Sequence, residues 1–129
     1  MKLDCKEISI NDGELGCEVT FSENEDLGSK NENMSLKEII DSIGRYLLLQ
    51  RTYPEDDFGR DYYYFETHDE NLGGELEDFE IVLSRHCFEL IFDSEIIEIS
   101  INPSDKEFAD LMHILPILIN EQGNLTINE

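Results

Sequence analysis

The sequence predicts a single α+β domain, mostly antiparallel β-sheet, in which a C-terminal amphipathic helix packs on one sheet face. Three observations support this fold class. Apolar and polar residues alternate with a period of two along several short segments, as in half-buried strands. Two segments begin with capping-box spacing and continue with helical periodicity. The 129 residues contain no repeat and no linker, so residues 1–129 should form one domain.

Strands are expected along most of the chain. Segments 2–10 and 15–22 flank a turn signal that contains Asp12 and Gly13. The apolar run 46–51 has strand length, although its leucines would also fit an extension of a preceding helix, against which Gly44 argues. The aromatic-rich segment 61–67 suits a strand as well.

Three further strands should form an antiparallel meander, because each alternates apolar and polar residues and the connections between them are short. These strands are predicted at 79–84, 88–93 and 97–101.

Two helices are predicted. A short helix near 35–43 begins at Ser35, and a longer one near 104–119 begins at Ser104. The second carries an apolar stripe at helical spacing. The stripe comprises Phe108, Leu111, Met112, Leu115, Leu118 and Ile119. The polar tail from Asn120 onward is expected to fray.

The charge is strongly acidic, with 9 Lys and Arg against 31 Asp and Glu and a formal net charge of −22. Phosphate backbones and anionic membranes are bound by basic residues, so neither nucleic acid nor a membrane is expected as a direct partner. One interpretation is a solvating surface. The other is an electrostatic field that steers a basic protein partner.

The acids concentrate in residues 55–80, where eleven acids and one base are interleaved with tyrosines and phenylalanines. Aromatic side chains anchor interfaces, and carboxylates orient Lys and Arg. The strand period places Tyr62, Tyr64 and Glu66 on one face, and Tyr63 and Phe65 on the other. The predicted partner-binding residues are Glu55, Asp56, Asp57, Asp61, Tyr62, Tyr64, Glu66, Asp69, Glu70, Glu75, Glu77 and Asp78.

Nothing in the sequence indicates catalysis, so we expect no enzyme and no catalytic residue, metal or cofactor. His68, His86 and His113 lack the spacing of metal ligands. Cys87 follows His86, but neighbours on a strand point to opposite faces. Neither a GxSxG motif nor a phosphate-binding loop is present.

The cysteines Cys5, Cys17 and Cys87 are odd in number and show no CxxC spacing. They are typical of small buried hydrophobes, which favours the reducing cytoplasm. The longest apolar run, near 114–119, is too short to cross a bilayer.

From Tyr46 onward the sequence resembles the bacterial immunity protein 10 family over roughly two-thirds of the chain. The resemblance rests on ordered segments rather than on one motif. They are the run Tyr46-Leu47-Leu48-Leu49-Gln50-Arg51, the acidic loop with Asp57 and Gly59, the run Asp61-Tyr62-Tyr63-Tyr64-Phe65-Glu66, the pair Gly73-Gly74, and the run Asp105-Lys106-Glu107-Phe108 before the last helix.

The resemblance implies a cytoplasmic inhibitor that binds the C-terminal effector domain of a polymorphic toxin. A nuclease effector would present a basic surface that an acidic inhibitor can occupy in place of nucleic acid. A monomer or weak dimer is expected outside the complex. The alternative hypotheses are an acidic nucleic-acid mimic that inhibits a DNA- or RNA-binding protein, and a small enzyme that uses acidic residues.

Overall fold

A computed structural model describes residues 1–23, 44–54, 59, 61–69, 71–120 and 122–128. The helix predicted near 35–43 lies outside these residues. The described strands are β1 (Lys2–Asp4), β2 (Glu7–Asp12), β3 (Gly16–Ser22), β4 (Tyr46–Thr52), β5 (Tyr62–Thr67), β6 (Gly73–Glu75), β7 (Glu80–Ser84), β8 (Cys87–Phe92), β9 (Glu95–Ser100) and β10 (Asn124–Asn128), and the described helix is α1 (Asp105–Ile119).

The strands form two sheets. The first follows the chain in the order β2-β3-β4-β5-β6, and all its pairs are antiparallel. The second has the order β1-β9-β8-β7-β10, and its centre is the predicted antiparallel meander. Its two edge pairs, β1 with β9 and β10 with β7, are parallel. The α+β class and the mostly antiparallel sheet content are thus confirmed.

The apolar faces of the two sheets pack against each other. The rings of Phe21 on β3 and Phe88 on β8 lie 4.4 Å apart between centroids, and those of Phe65 and Phe92 lie 4.6 Å apart. Phe21 and Phe88 are completely buried. Because each strand sends alternate side chains inward, two half-buried sheets suffice to enclose one common core.

Helix α1 packs against β2, β3 and β4 of the first sheet and against β10, as predicted for the C-terminal helix. The predicted capping box is present: Glu107 N donates to Ser104 Oγ at 3.1 Å, and Ser104 N donates to Glu107 Oε1 at 2.9 Å. The buried stripe contains Ile114 in addition to most predicted positions, whereas Met112 is only half-buried.

The N-terminal segment does not form the single strand predicted at 2–10. The chain crosses between the sheets at Cys5 and Lys6. Cys5 N donates to Ser100 O of the second sheet at 2.8 Å, and Lys6 N donates to Ser22 O of the first sheet at 2.7 Å. At this break, one backbone N–H is hydrogen-bonded to each sheet, so no backbone donor of the pair is left unpaired. The partners are distant in sequence, and the local alternation of apolar and polar residues therefore does not indicate the break.

The expectation that the tail frays from Asn120 onward is wrong. Residues Asn124–Asn128 pair with β7 from Glu80 to Ser84, and Leu125 and Ile127 pack against the core. In the sequence, Leu125 and Ile127 alternate with polar residues, as in a strand. A segment of five residues is too short for this alternation to predict a strand when the surrounding tail is polar.

Candidate partner-binding site

Strand β5 divides its side chains between the core and the outer surface. Tyr63, Phe65 and Thr67 are buried, whereas Tyr62 and Tyr64 lie on the outward face. Glu66 shares that outward face, half-buried. The predicted division of this strand is confirmed, and the tyrosine pair with a glutamate lies on the outward face of the first sheet.

The outward face continues across neighbouring strands because register places their side chains side by side. Tyr64 lies opposite Gln50 of β4 on one side and Glu75 of β6 on the other. The rings of Tyr62 and Tyr64 are stacked, with centroids 6.3 Å apart and planes at 18°. Tyr62 is 44% exposed. This face therefore offers an aromatic surface edged by carboxylates.

Two tyrosine hydroxyls hold the Glu66 carboxylate in place. Tyr46 Oη donates to Glu66 Oε2 at 2.6 Å, and Tyr64 Oη donates to Glu66 Oε1 at 3.1 Å. Burial and the hydrogen bond to Glu66 raise the pKa of Tyr46 to about 12. The hydrogen bond to Glu66 is also the main cause of a raised pKa at Tyr64. Both phenols therefore stay neutral donors at physiological pH.

Glu66 has no Lys or Arg partner among the residues that the structure describes. The ion pairs in those ranges are Lys2 with Glu98, Arg45 with Glu23, Arg51 with Asp61, and Arg85 with Asp105. The half-buried carboxylate is thus oriented by hydrogen bonds but not neutralised by a described basic side chain.

A pocket of about 420 Å³ opens beside this carboxylate, and we call it the glycine pocket. It is lined by Tyr46, Tyr64, Glu66, Thr67, His68, Asp69, Leu72, Gly73 and Gly74. The two glycines leave part of its lining without side chains. Gly74 has a φ of 133°, a conformation that favours glycine, and a Cβ built there meets no atom within 4 Å.

The turn between β5 and β6 shapes the rim of the glycine pocket. The Thr67 hydroxyl donates to Leu72 O at 2.8 Å and accepts from Asp69 N at 3.1 Å. Asp69 Oδ1 accepts from Asn71 N at 2.9 Å, as in an Asx turn. The buried Thr67 therefore fixes the turn, and part of the Asp69 carboxylate is already used within it.

The predicted partner-binding residues separate into distinct positions. Glu66 and Asp69 line the glycine pocket, and Glu75, Glu77 and Asp78 are exposed on β6 and the segment after it. Tyr62 and Tyr64 form the stacked pair. Glu55, Asp56, Asp57 and Glu70 lie outside the described residues.

Asp61 lies apart from the glycine pocket and already has a structural role. Its carboxylate lies 3.1 Å from Arg51 Nη2, and its side chain is 20% exposed. Asn120 Nδ2 also donates to Asp61 Oδ2, at 3.4 Å. Asp61 therefore stabilises the fold of the chain itself, and its carboxylate is already paired within the protein.

Tyr46 and His68 belong to the site but were not among the predicted residues. Tyr46 meets Glu66 diagonally across β4 and β5, so only the strand register brings them together. His68 Nδ1 accepts from Tyr46 N at 3.4 Å, and the two rings meet edge to face. The tyrosine at the start of a predicted strand was visible in the sequence, but its cross-strand partner was not.

The described residues contain no group of three or more His, Cys, Asp or Glu arranged to hold a metal ion. The three cysteines are free, and burial raises the pKa of each thiol, that of Cys5 to about 11. Raised thiol pKa values disfavour the nucleophilic thiolate. Within the described ranges, no helix has both the length and the apolar character needed to cross a membrane.

Comparisons with known proteins leave the function to be inferred from this chain. The sequence matches no protein-family model. No curated protein matches it, and no solved structure matches it. The outward face of β4, β5 and β6 combines the oriented Glu66 carboxylate with the exposed Tyr62.

Proposed function

We propose that this protein is an immunity protein that binds and neutralises a cognate bacterial toxin effector domain. The effector is a basic nuclease, and the inhibitor occludes its active site or substrate-binding surface. The observation that carries the proposal is the outward face of β4–β6, where stacked tyrosines adjoin a Glu66 carboxylate without a basic partner among the described residues.

Electrostatics supports a basic partner. A net charge of −22 produces a field that speeds association with a positively charged surface. A nuclease binds phosphates through Lys and Arg, so carboxylates can take the place of those phosphates. Glu75 lies opposite Tyr64 on the neighbouring strand, and the exposed carboxylates of Glu75, Glu77 and Asp78 would add to this attraction.

The tyrosines support a specific complex rather than charge attraction alone. Tyrosine is enriched among the residues that dominate binding energy, because it supplies a large rigid contact area and a polar tip. Tyr62 is exposed and its ring stacks beside that of Tyr64, which restricts its orientations before a partner arrives. Less conformational entropy is then lost on binding.

The resemblance to the immunity protein 10 family supports a toxin effector as the partner. Several segments of the resemblance, including 46–51, 61–66 and Gly73-Gly74, form the β4–β6 region described above. The proposal includes a cytoplasmic location, no direct contact with nucleic acid or membrane, and a monomer or weak dimer in the absence of the effector.

Co-expression tests the proposal. The C-terminal effector domain of the toxin encoded directly upstream is produced in a bacterial host with or without this protein. We expect growth to be rescued and the complex to be isolated, with affinity that falls as salt rises. Failure to bind or to rescue growth would refute the proposal, and salt-independent association would remove its electrostatic part.

Variants locate the interface. Tyr62→Ala should weaken the complex by about tenfold or more, since truncating a central aromatic anchor costs on the order of 2 kcal/mol. Leu15→Ala is the matched control, because Leu15 is also an exposed large hydrophobic residue but lies between β2 and β3. Equal affinities for the two variants would place the interface away from β5.

The net charge also favours the alternative of an acidic nucleic-acid mimic that inhibits a DNA- or RNA-binding protein. Gene order distinguishes the two functions. An immunity gene lies directly downstream of a large secreted toxin gene, whereas a regulator of a cellular nucleic-acid-binding protein has no need of that neighbour.

A further inference from the structure

We infer that the glycine pocket receives one arginine side chain of the partner, whose guanidinium pairs with Glu66. This inference rests on the proposed function, because it specifies how the acidic face recognises a basic effector. It concerns one defined cavity and one side chain, so it can be tested without the effector.

The Glu66 carboxylate keeps free acceptor positions in spite of its two tyrosine donors. A carboxylate offers about four lone-pair sites, and Tyr46 and Tyr64 use one on each oxygen. One site on each oxygen therefore remains for a two-pronged donor. The Glu66 carboxylate is half-buried and has no basic side chain beside it among the described residues. Pairing with a cation of the partner would therefore offset part of the free energy that its desolvation costs on folding.

The chemistry of the walls favours guanidinium over ammonium. Arginine presents five N–H donors in a planar fork, stacks on aromatic rings and is more weakly hydrated than lysine. Each tyrosine hydroxyl that donates to Glu66 can still accept a hydrogen bond through its oxygen. The rings of Tyr46 and Tyr64 line the same pocket and can interact with a cation through their faces or edges.

The glycines provide the space. The pocket volume of about 420 Å³ falls in the range of sites that hold small ligands, and Gly73 and Gly74 contribute backbone without side chains. Asp69 lies on the rim and adds negative potential near the entrance. An arginine side chain can therefore enter over the glycines with its charged end beside Glu66.

A titration followed by NMR tests the inference, with the ¹⁵N-labelled full chain and N-acetyl-arginine amide as the probe. We expect saturable shifts of the Gly73 and Gly74 amide signals, with a dissociation constant on the order of millimolar. The citrulline analogue has a similar shape but no charge and should leave these signals unchanged. The lysine analogue should bind about fivefold more weakly or worse.

Two variants separate the pocket from the general field of the protein. Glu66→Gln should weaken arginine binding about tenfold, whereas Glu75→Gln should change it less than about twofold. Glu75 is the matched control, because it carries the same charge opposite Tyr64 but does not line the pocket. Amide spectra of both variants verify that they are folded.

Three results would overturn the inference: no saturable shift up to about 50 mM probe, equal binding of the arginine and lysine analogues, or equal weakening by the two variants. The comparison of probes on the wild-type protein stands even if a variant fails to fold. Arginine binding without neutralisation of an effector would refute the proposed function alone. Neutralisation without arginine binding would refute the pocket inference alone.

Discussion

Arg51 Nη1 donates a 2.6 Å hydrogen bond to the carbonyl oxygen of Ile117, which joins strand β4 to the last turn of helix α1. That turn has no basic residue of its own. Arg51 therefore supplies from another element the positive charge that the C-terminal end of a helix favours. Its Nη2 also donates to Asp61 Oδ2 at 3.2 Å and lies 3.1 Å from Asp61 Oδ1, so Arg51 forms an ion pair with Asp61 as well.

Replacing Arg51 with Met should lower the free energy of unfolding by about 2–3 kcal/mol, because it leaves Asp61 largely buried without its cation. Chemical denaturation measures this loss. The double variant Arg51→Met, Asp61→Asn should recover part of it, since no unpaired charge remains. A double variant as unstable as Arg51→Met would show that the loss comes from the helix contact alone.

The two sheets should be coupled through Phe21 and Phe88. Truncating either ring to Ala leaves a cavity in the core, and each change should cost about 3–5 kcal/mol. In a double-mutant cycle the two changes should be non-additive by about 1 kcal/mol, because the rings contact each other. Ile96→Ala is the control, since that side chain is 51% exposed and its loss should be small. Additive losses at Phe21 and Phe88 would contradict direct coupling.

Gly74 should resist substitution because of its backbone and not because of crowding. Gly74→Ala places a residue with a side chain in a backbone conformation with a φ of 133°, and it should lower the free energy of unfolding by about 1–3 kcal/mol. Gly13→Ala is the matched control, because a Cβ there also meets no atom within 4 Å and Gly13 is not in the left-handed region. Thermal unfolding of both variants measures the difference. Equal melting temperatures would mean that the β6 backbone relaxes freely.

Stability should fall in alkali as unfolded tyrosine ionises. The folded-state pKa of Tyr46 is raised to about 12, mainly by burial, whereas an unfolded tyrosine titrates near 10. Its contribution is complete below pH 10 and is lost as the pH rises towards 12, because only the unfolded state then releases the proton. Tyr46→Phe should flatten this decline in melting temperature.

Cys5 adds a similar decline at slightly lower pH, since its pKa is raised to about 11 by burial. Comparing Tyr46→Phe with its parent in a Cys5→Ser background isolates the phenol. If the melting temperatures of the two proteins fell in parallel between pH 10 and 12, Tyr46 would not contribute to the loss of stability in alkali.

The sequence was most informative where a structure depends on local periodicity. The capping box of Ser104 and Glu107, the meander β7–β9 and the division of β5 into two faces all follow from spacing along the chain. Such features require only neighbours within a few residues, so their physical cause is present in the local sequence.

Features that depend on distant pairing were missed. The residues near Cys5 do not indicate that the chain passes from one sheet to the other there. The residues near Asn124 do not indicate that this segment pairs in parallel with β7. The same limit applies to the candidate site. Glu66 was predicted from its acidity and strand position, but the Tyr46 hydroxyl that orients it comes from β4 through register.

The edges of the second sheet come from the two ends of the described chain, and this has a consequence for biosynthesis. The Met1 amino group donates to Ile96 O, 95 residues later, and β10, which follows α1 in the chain, forms the other edge. While a ribosome makes the chain, β1–β6 emerge before β7–β9 and α1, so the apolar face of the first sheet is complete before Phe88 and α1 can cover it. That face is therefore exposed to aggregation until Phe88 and α1 have left the ribosome and packed against it.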